Sequence, residues 1–133
     1  MLRTKSVYAP VGSNDGLRIL ATRFRGRGLK RNRYDVWMAN LGPSERLLTD
    51  FRAGKLSWAD FRRSYRNELL GKLIRESNNK VIKNHGQKFT LRLINRLAKR
   101  GNVTLMCHCE TREPHCHCGV LKQVLKSKLL AAK

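Results

Sequence analysis

Residues 103–109 read Val-Thr-Leu-Met-Cys-His-Cys, an apolar run that leads directly into a segment of cysteine and histidine. The run Val103–Met106 predicts a β-strand. The residues from Val120 to about Leu130 predict a helix at the end of the sequence. We therefore expect the cysteine segment to lie between the end of a strand and the start of a helix.

The rest of the chain alternates short apolar runs with segments of helical periodicity. Leu17–Thr22 predicts a second buried strand, and residues 6–8 and 34–41 predict two weaker ones. Three helices are expected between them: one from Ser44 to about Arg52, one opening at Ser57, and one over residues 88–100. The second carries an apolar stripe at helical spacing, formed by Trp58, Phe61, Tyr65, Leu69 and Leu73.

This alternation predicts an α/β fold. We expect a single compact domain over residues 1–133, built on a small, mostly parallel sheet flanked by helices. No internal repeat and no low-complexity tail interrupts the pattern.

The composition narrows the class of partner. The 133 residues include 29 Lys and Arg but only 9 Asp and Glu, for a formal net charge of +20. Hydrophobic residues make up 41%, so a packed core is expected and full disorder is excluded. Such an excess of positive charge favours a polyanionic partner, either nucleic acid or a phosphorylated small molecule.

Several classes of protein do not fit the sequence. No apolar run approaches the eighteen or so residues of a membrane-spanning helix, and the N-terminal residues lack the hydrophobic stretch of a signal peptide. The chain has no phosphate-binding loop motif, no dinucleotide fingerprint and no nucleophile elbow. We expect a cytoplasmic protein with no membrane partner.

The cysteines form the sharpest motif. Cys107, Cys109, Cys116 and Cys118 lie within twelve residues, as two Cys-His-Cys triplets separated by six residues. Thiolates at both ends of a short loop can converge on one tetrahedral zinc ion, so these four residues are candidate metal ligands. His108, His115 and His117 offer further ligands.

Two other interpretations of the cysteines stay open. A helix N-terminus lowers the pKa of a thiol and attracts anions, so the segment could instead supply a reactive thiolate or an anion pocket. The cysteines could also be small core residues or form a redox bridge. The spacing Cys-x-Cys is rarer in zinc sites than a spacing of two or more residues.

The second motif is a basic loop. Seven Lys and Arg residues fall between positions 18 and 33. If residues 23–27 are extended, Arg23, Arg25 and Arg27 point to one side, and glycines beside them allow close approach by a phosphate. The candidate anion-binding or nucleic-acid-binding residues are Arg23, Arg25, Arg27, Gly28, Lys30 and Arg31. Arg62 and Arg66, four positions apart on the second helix, add a basic surface there.

A series of short sequence blocks runs through nearly the whole chain in a characteristic order. They are Asp15-Gly16-Leu17-Arg18-Ile19-Leu20, Arg23, Arg27-Gly28, Trp37, Leu41-Gly42-Pro43-Ser44, Ser57-Trp58, Phe61, Tyr65-Arg66, Val103-Thr104-Leu105 and Cys116-His117. In these blocks the chain resembles the domain-of-unknown-function 488 family, which has no established activity.

The resemblance implies a compact α/β domain in which Arg23, Arg27, Gly28, Cys116 and His117 line one pocket. The chain departs from the family pattern at two places. Arg25-Gly26 replaces the usual Trp-Pro, and Cys118 stands where relatives have Arg.

Two main hypotheses of function follow. The first is binding of nucleic acid or another polyanion through phosphate contacts. The alternative is a thiol- or zinc-dependent enzyme or sensor that acts on a small phosphorylated ligand at the Cys-His loop, with Cys116 and His117 in its pocket. A third hypothesis, a structural role in a ribonucleoprotein, rests on size and charge alone.

Overall fold

The structure of the protein is a computed structural model that describes residues 1–71, 88–109 and 115–127. Leu73, expected in the apolar stripe of the second helix, and Leu130, expected near the end of the last helix, lie outside the described residues.

A four-stranded sheet forms the centre of the fold. Its strands are β1 (Leu2–Ser6), β2 (Leu17–Leu20), β3 (Val36–Trp37) and β4 (Val103–Cys107). They lie side by side in the order β1-β4-β2-β3, and each neighbouring pair is parallel. The prediction of an α/β fold with a small parallel sheet is confirmed.

The apolar run at 103–107 is the most buried strand of the sheet. All five residues of β4 are buried, with β1 hydrogen-bonded on one side and β2 on the other. Leu105 is opposite Ile19 in β2 and opposite Thr4 in β1. A continuous apolar run without polar alternation suits such a central parallel strand, because both of its faces are covered.

Four α-helices are described. They are α1 (Glu45–Arg52), α2 (Trp58–Leu70), α3 (Lys88–Arg100) and α4 (His117–Lys126). Ser44 accepts a hydrogen bond from the amide of Leu47, and Ser57 accepts one from the amide of Asp60, so serine caps fix the starts of α1 and α2 as predicted.

The two faces of the sheet are covered differently. Ile19 and Leu105 pack into the main core together with residues from all four helices. Leu20 and Met106 alternate to the opposite face, where Leu29 covers them. The four helices therefore pack on one face of the sheet, and the loop that follows β2 covers the other.

The first strand begins earlier than predicted. It spans Leu2–Ser6 and pairs with β4 from its first residue, where Leu2 lies opposite Val103. The terminal amine of Met1 donates to the carbonyls of Ala98 and Gly101, at 2.7 and 2.9 Å. These bonds fix the start of the strand before the residues 6–8 that the sequence favoured.

The described helices are also too short or too polar to cross a membrane.

Candidate functional site

The candidate site lies where two central strands end. Strand β4 leads into Cys107, His108 and Cys109, and β2 leads into residues 21–23. Because the carboxyl ends of parallel strands meet at the same edge of a sheet, these two segments lie side by side.

Three of the four cysteines bring their sulfur atoms together. The sulfurs of Cys107, Cys109 and Cys116 all lie within 4.8 Å of one another, close enough for one metal ion to bind all three. In a tetrahedral zinc site with Zn–S distances of about 2.3 Å, two sulfurs lie about 3.8 Å apart. Cys118, the fourth predicted ligand, is outside this group and buried in the core, with 1% of its surface exposed.

The start of α4 places Cys116 in the cluster. The helix begins at His117, three residues before the predicted start at Val120, and Cys116 is its N-cap residue. Its sulfur lies 3.1 Å from that of Cys107, within hydrogen-bonding distance for two thiols. This bond holds the pKa of Cys116 well below its usual range, while the contacts with the neighbouring thiols and burial raise the pKa of Cys107. Of the two thiols, Cys116 is thus the more acidic.

Cys118 belongs to the core beneath the cluster. Its contact with Cys107 lowers the pKa of its thiol, but the contact with Cys116 and complete burial raise that pKa by more. The Cys118 thiol therefore stays protonated and behaves as a small apolar side chain.

Two histidines hold the site together. His117 donates from Nε2 to the carbonyl of Ala21 at 2.6 Å, which fixes the N-terminus of α4 against the end of β2. Burial lowers the pKa of His117, so its ring is neutral. His108 donates from Nε2 to the carbonyl of Phe24 at 3.1 Å, and its Nδ1 accepts from the hydroxyl of Tyr8 at 3.2 Å. Both ring nitrogens of His108 are thus engaged with protein groups.

A cavity of about 200 Å³ opens next to the cluster. Cys109, His108, His115 and His117 line its cysteine side, and Arg23 and Arg52 bring positive charge to it. The other lining residues are mostly apolar: Thr22, Phe24, Pro43, Leu48, Phe51 and Phe61. The ring of His115 is stacked on Trp58, with the ring centres 4.8 Å apart and the planes 15° from parallel.

The basic loop is not extended, so the condition under which Arg23, Arg25 and Arg27 would point to one side is not met. Residues 23–27 form no strand, and Gly26 has a φ of 93°, which interrupts the alternation of extended backbone. Arg23 donates to the carbonyls of Pro43 and Gly42, at 2.9 and 2.8 Å. Arg25 donates to the hydroxyl of Tyr34 and the carbonyl of Leu29.

The remaining loop residues lie apart from the cysteines. Arg27, Gly28, Lys30 and Arg31 are exposed, and the first three line a separate open depression. Of the five residues that the family resemblance puts in one pocket, Arg23 and His117 line the cavity. Cys116 lies in the adjacent cluster, and Arg27 and Gly28 lie elsewhere.

Part of the cavity wall could not be predicted from sequence patterns. Phe51 and Arg52 lie in the last turn of α1, where they look like an ordinary apolar residue and an ordinary C-terminal cation. Their position beside the cysteines depends on how α1 packs against α2, where Phe51 and Phe61 have ring centres 4.6 Å apart. Local periodicity carries no information on such a contact.

Comparison with known proteins agrees with the family resemblance. A family model described as "Active DUF488-N3 subclade" matches residues 2–129. A relative from Escherichia coli (strain K12), the uncharacterized protein YeaO, is 36% identical over 70 residues, which cover 51% of this chain. The matched region spans 61% of that relative's length. No solved structure matches the chain.

The family match covers nearly the full chain, from β1 to the residues just beyond α4. It includes both strands that build the site and the helix that carries Cys116. The chain therefore belongs to the DUF488 family, within its N3 subclade.

Proposed function

We propose that this protein is a cytoplasmic zinc-dependent enzyme or sensor that acts on a small phosphorylated ligand in the cavity beside the Cys-His segment. Zinc is the metal of choice for a group of thiolates. When bound, it would polarise an oxygen atom of the ligand as a Lewis acid. Cysteines that bind a metal must stay reduced, which is the usual state of thiols in the cytoplasm.

One observation carries this proposal: Cys109 belongs both to the three-thiol cluster and to the cavity wall. A metal held by Cys107, Cys109 and Cys116 would therefore lie next to the space in which a ligand binds. Catalytic zinc sites have three protein ligands and leave the fourth position to water or substrate, whereas structural sites are closed.

The histidines next to the cluster support an open fourth position. His108 uses both ring nitrogens in hydrogen bonds to Phe24 and Tyr8. His117 uses Nε2 in its bond to Ala21. These two rings thus serve to hold the strand ends together, and a fourth ligand to a bound metal would come from another group, such as water or the phosphorylated ligand.

The charge of the cavity favours a phosphorylated ligand. Arg23 is fixed at the cavity wall by two backbone carbonyls, where its charge makes the cavity more positive. Arg52 adds a second guanidinium at the same wall. Arginine suits phosphate because its planar fork can donate two hydrogen bonds to two oxygens at once.

Metal analysis of the purified protein tests the proposal. We expect about one zinc per chain, and a chelator should lower the melting temperature because metal binding contributes folding free energy. Protein that contains no zinc, takes up none and melts unchanged with chelator would refute the zinc site.

A second candidate function, binding of nucleic acid, is favoured by the outer face of α2. Arg62, Arg63 and Arg66 are exposed there within about one helical turn. Asp60 pairs with Arg63 at 2.6 Å, and both side chains of that pair are exposed. Like charges at this spacing destabilise a helix unless an anion lies over them.

The two basic surfaces of the molecule lie on opposite sides of the sheet. Helix α2 packs into the main core on one face of the sheet. The loop with Arg27, Lys30 and Arg31 covers the other face through its residue Leu29. One duplex therefore contacts one surface or the other. We propose the α2 face, where three guanidinium groups share one helical surface, and a salt-dependent binding titration tests it.

A further inference from the structure

We infer that the cavity selects a single aromatic ring that carries a phosphate group. This inference rests on the proposed function, because it names the class of ligand for the same cavity. It goes further in assigning two parts of the wall to two parts of the ligand: the phenylalanines to a ring, and Arg52 to the phosphate.

The size of the cavity fits one ring. An apolar protein cavity of about 150 Å³ is enough to bind benzene. The present cavity, of about 200 Å³, therefore accepts one six-membered ring with little space left. A substituent on that ring has to point out toward the mouth.

The walls fit a flat, apolar group. Phe51 and Phe61 pack against each other with ring centres 4.6 Å apart, and both line the cavity. Trp58 already stacks on one side of His115, so the part of the His115 ring that lines the cavity is backed by a rigid aromatic surface. Aromatic walls of this kind favour offset or edge-to-face contacts with another ring.

The charges of the cavity fit a phosphate at the mouth. No acidic residue lines the described part of the cavity, whereas two arginines do. Arg23 has a structural role, because its guanidinium joins the end of β2 to the carbonyls of Gly42 and Pro43. Arg52 is exposed at the end of α1, and it is therefore the cation that can approach a phosphate from the solvent side.

Calorimetric titration with three probes tests the inference: phenyl phosphate, inorganic phosphate and phenol. We expect phenyl phosphate to bind at least about tenfold more tightly than either fragment, since only it uses both parts of the wall. Inorganic phosphate or phenol that binds as tightly as phenyl phosphate would overturn the inference.

Arg52→Ala should weaken phenyl phosphate binding at least about tenfold, because a charge-assisted hydrogen bond is lost, and leave phenol binding unchanged. The matched control is Arg46→Ala, which removes an exposed arginine of α1 that does not line the cavity. Phe51→Leu should reduce the affinity for phenyl phosphate toward that for inorganic phosphate. Equal losses for Arg46→Ala and Arg52→Ala would overturn the assignment of Arg52.

Zinc is measured on the same sample, so that the two ideas can fail separately. Zinc-free protein that still prefers phenyl phosphate would refute the zinc site and support the ligand class. Zinc-loaded protein that does not distinguish phenyl phosphate from inorganic phosphate would overturn the ligand class and leave the zinc site standing.

Discussion

The sulfur of Cys116 lies 3.1 Å from the sulfur of Cys107, although nine positions separate the two residues in the chain. The contact is made by the end of β4 and the N-cap of α4. It depends on the hydrogen bond from His117 to the carbonyl of Ala21, which fixes the start of the helix against β2. The cluster is therefore a product of tertiary packing and not of the Cys-x-Cys spacing alone.

Substitution of a cluster cysteine should release the metal. We expect Cys116→Ser and Cys107→Ser each to reduce bound zinc well below one per chain and to lower the melting temperature. Cys118→Ala is the matched control: it removes a buried cysteine outside the three-thiol group and should retain zinc, at a cost of about 1 kcal/mol for the lost core sulfur. Metal analysis and thermal melts of the three variants show which of these cysteines bind the metal. Equal zinc loss in all three would put Cys118 among the ligands.

Two glycines of the basic loop allow a matched test of the contact between that loop and the cysteine segment. Gly26 and Gly28 both have positive φ, at 93° and 74°. A Cβ on Gly26 would lie 2.8 Å from Cε1 of His108, whereas one on Gly28 would meet nothing within 4 Å.

We expect Gly28→Ala to lose about 1–2 kcal/mol of unfolding free energy, the cost of the left-handed backbone for alanine. Gly26→Ala should lose more, by about 1 kcal/mol for each hydrogen bond that the displaced His108 gives up. It should also weaken phenyl phosphate binding, because Phe24 lines the cavity. Urea unfolding and calorimetry measure both effects, and equal losses in the two variants would show that His108 does not hold the loop.

The sequence predicted the elements that depend on local signals. Serine caps and helical periodicity defined α1 and α2, and the apolar run at 103–107 identified the central strand. Helix α3 was predicted with its observed bounds, but its periodicity did not identify the face that meets the core. Leu91 and Ile94 are buried, whereas Phe89 and Leu93 are exposed.

This ambiguity on α3 has a physical cause. The helix has apolar residues on two faces, and periodicity cannot tell which of them meets the sheet. Asn95 marks the inner side in the structure, because its amide donates to the carbonyl of Leu125 at 2.8 Å. The candidate site was predicted in the same partial way. The spacing of the cysteines predicted a cluster, but which three of them converge depends on tertiary packing. Phe51 and Arg52 likewise reach the cavity only through the packing of α1.

The ion pair between Lys5 and Asp15 should make stability depend on pH in the acid range. The backbone amide of Gly12 donates to the carboxylate of Asp15 at 2.8 Å, and Nζ of Lys5 donates to it at 2.9 Å. These two bonds, the first contributing most, hold the pKa of Asp15 below its ordinary value of 3.8. The native state thus binds fewer protons than the unfolded chain. The stabilisation is fully present above about pH 4 and is lost as the pH falls through the native pKa.

Asp15→Asn should therefore be less stable than the wild type near pH 6, and the difference should shrink as the pH falls below 4. Asp60→Asn is the control, since its ion pair with Arg63 is exposed and contributes little. Urea unfolding at several pH values measures the difference. A gap between wild type and Asp15→Asn that stays constant down to pH 2 would contradict the assignment.

Nucleic-acid binding should depend steeply on salt and on α2. Each neutralised phosphate contributes about −0.9 to the slope of log K against log salt on duplex DNA. We expect the double change Arg62→Ala and Arg66→Ala to reduce the magnitude of that slope by up to about 2, for random and defined sequences alike. Arg27→Ala with Arg31→Ala, on the other side of the sheet, should leave it unchanged. A slope change confined to the loop variant would place binding at the loop, and no binding at low salt would exclude the function.

The central claim is that the three-thiol cluster holds a metal next to the cavity in which the ligand binds. The most direct measurement is the visible absorption spectrum of the cobalt-substituted protein, titrated with phenyl phosphate. We expect bands of tetrahedral thiolate-bound cobalt at one equivalent of metal, and a shift of those bands that saturates with the probe. Protein that takes up no cobalt through its thiols, or whose cobalt spectrum stays unchanged while calorimetry shows the probe bound, would contradict the claim.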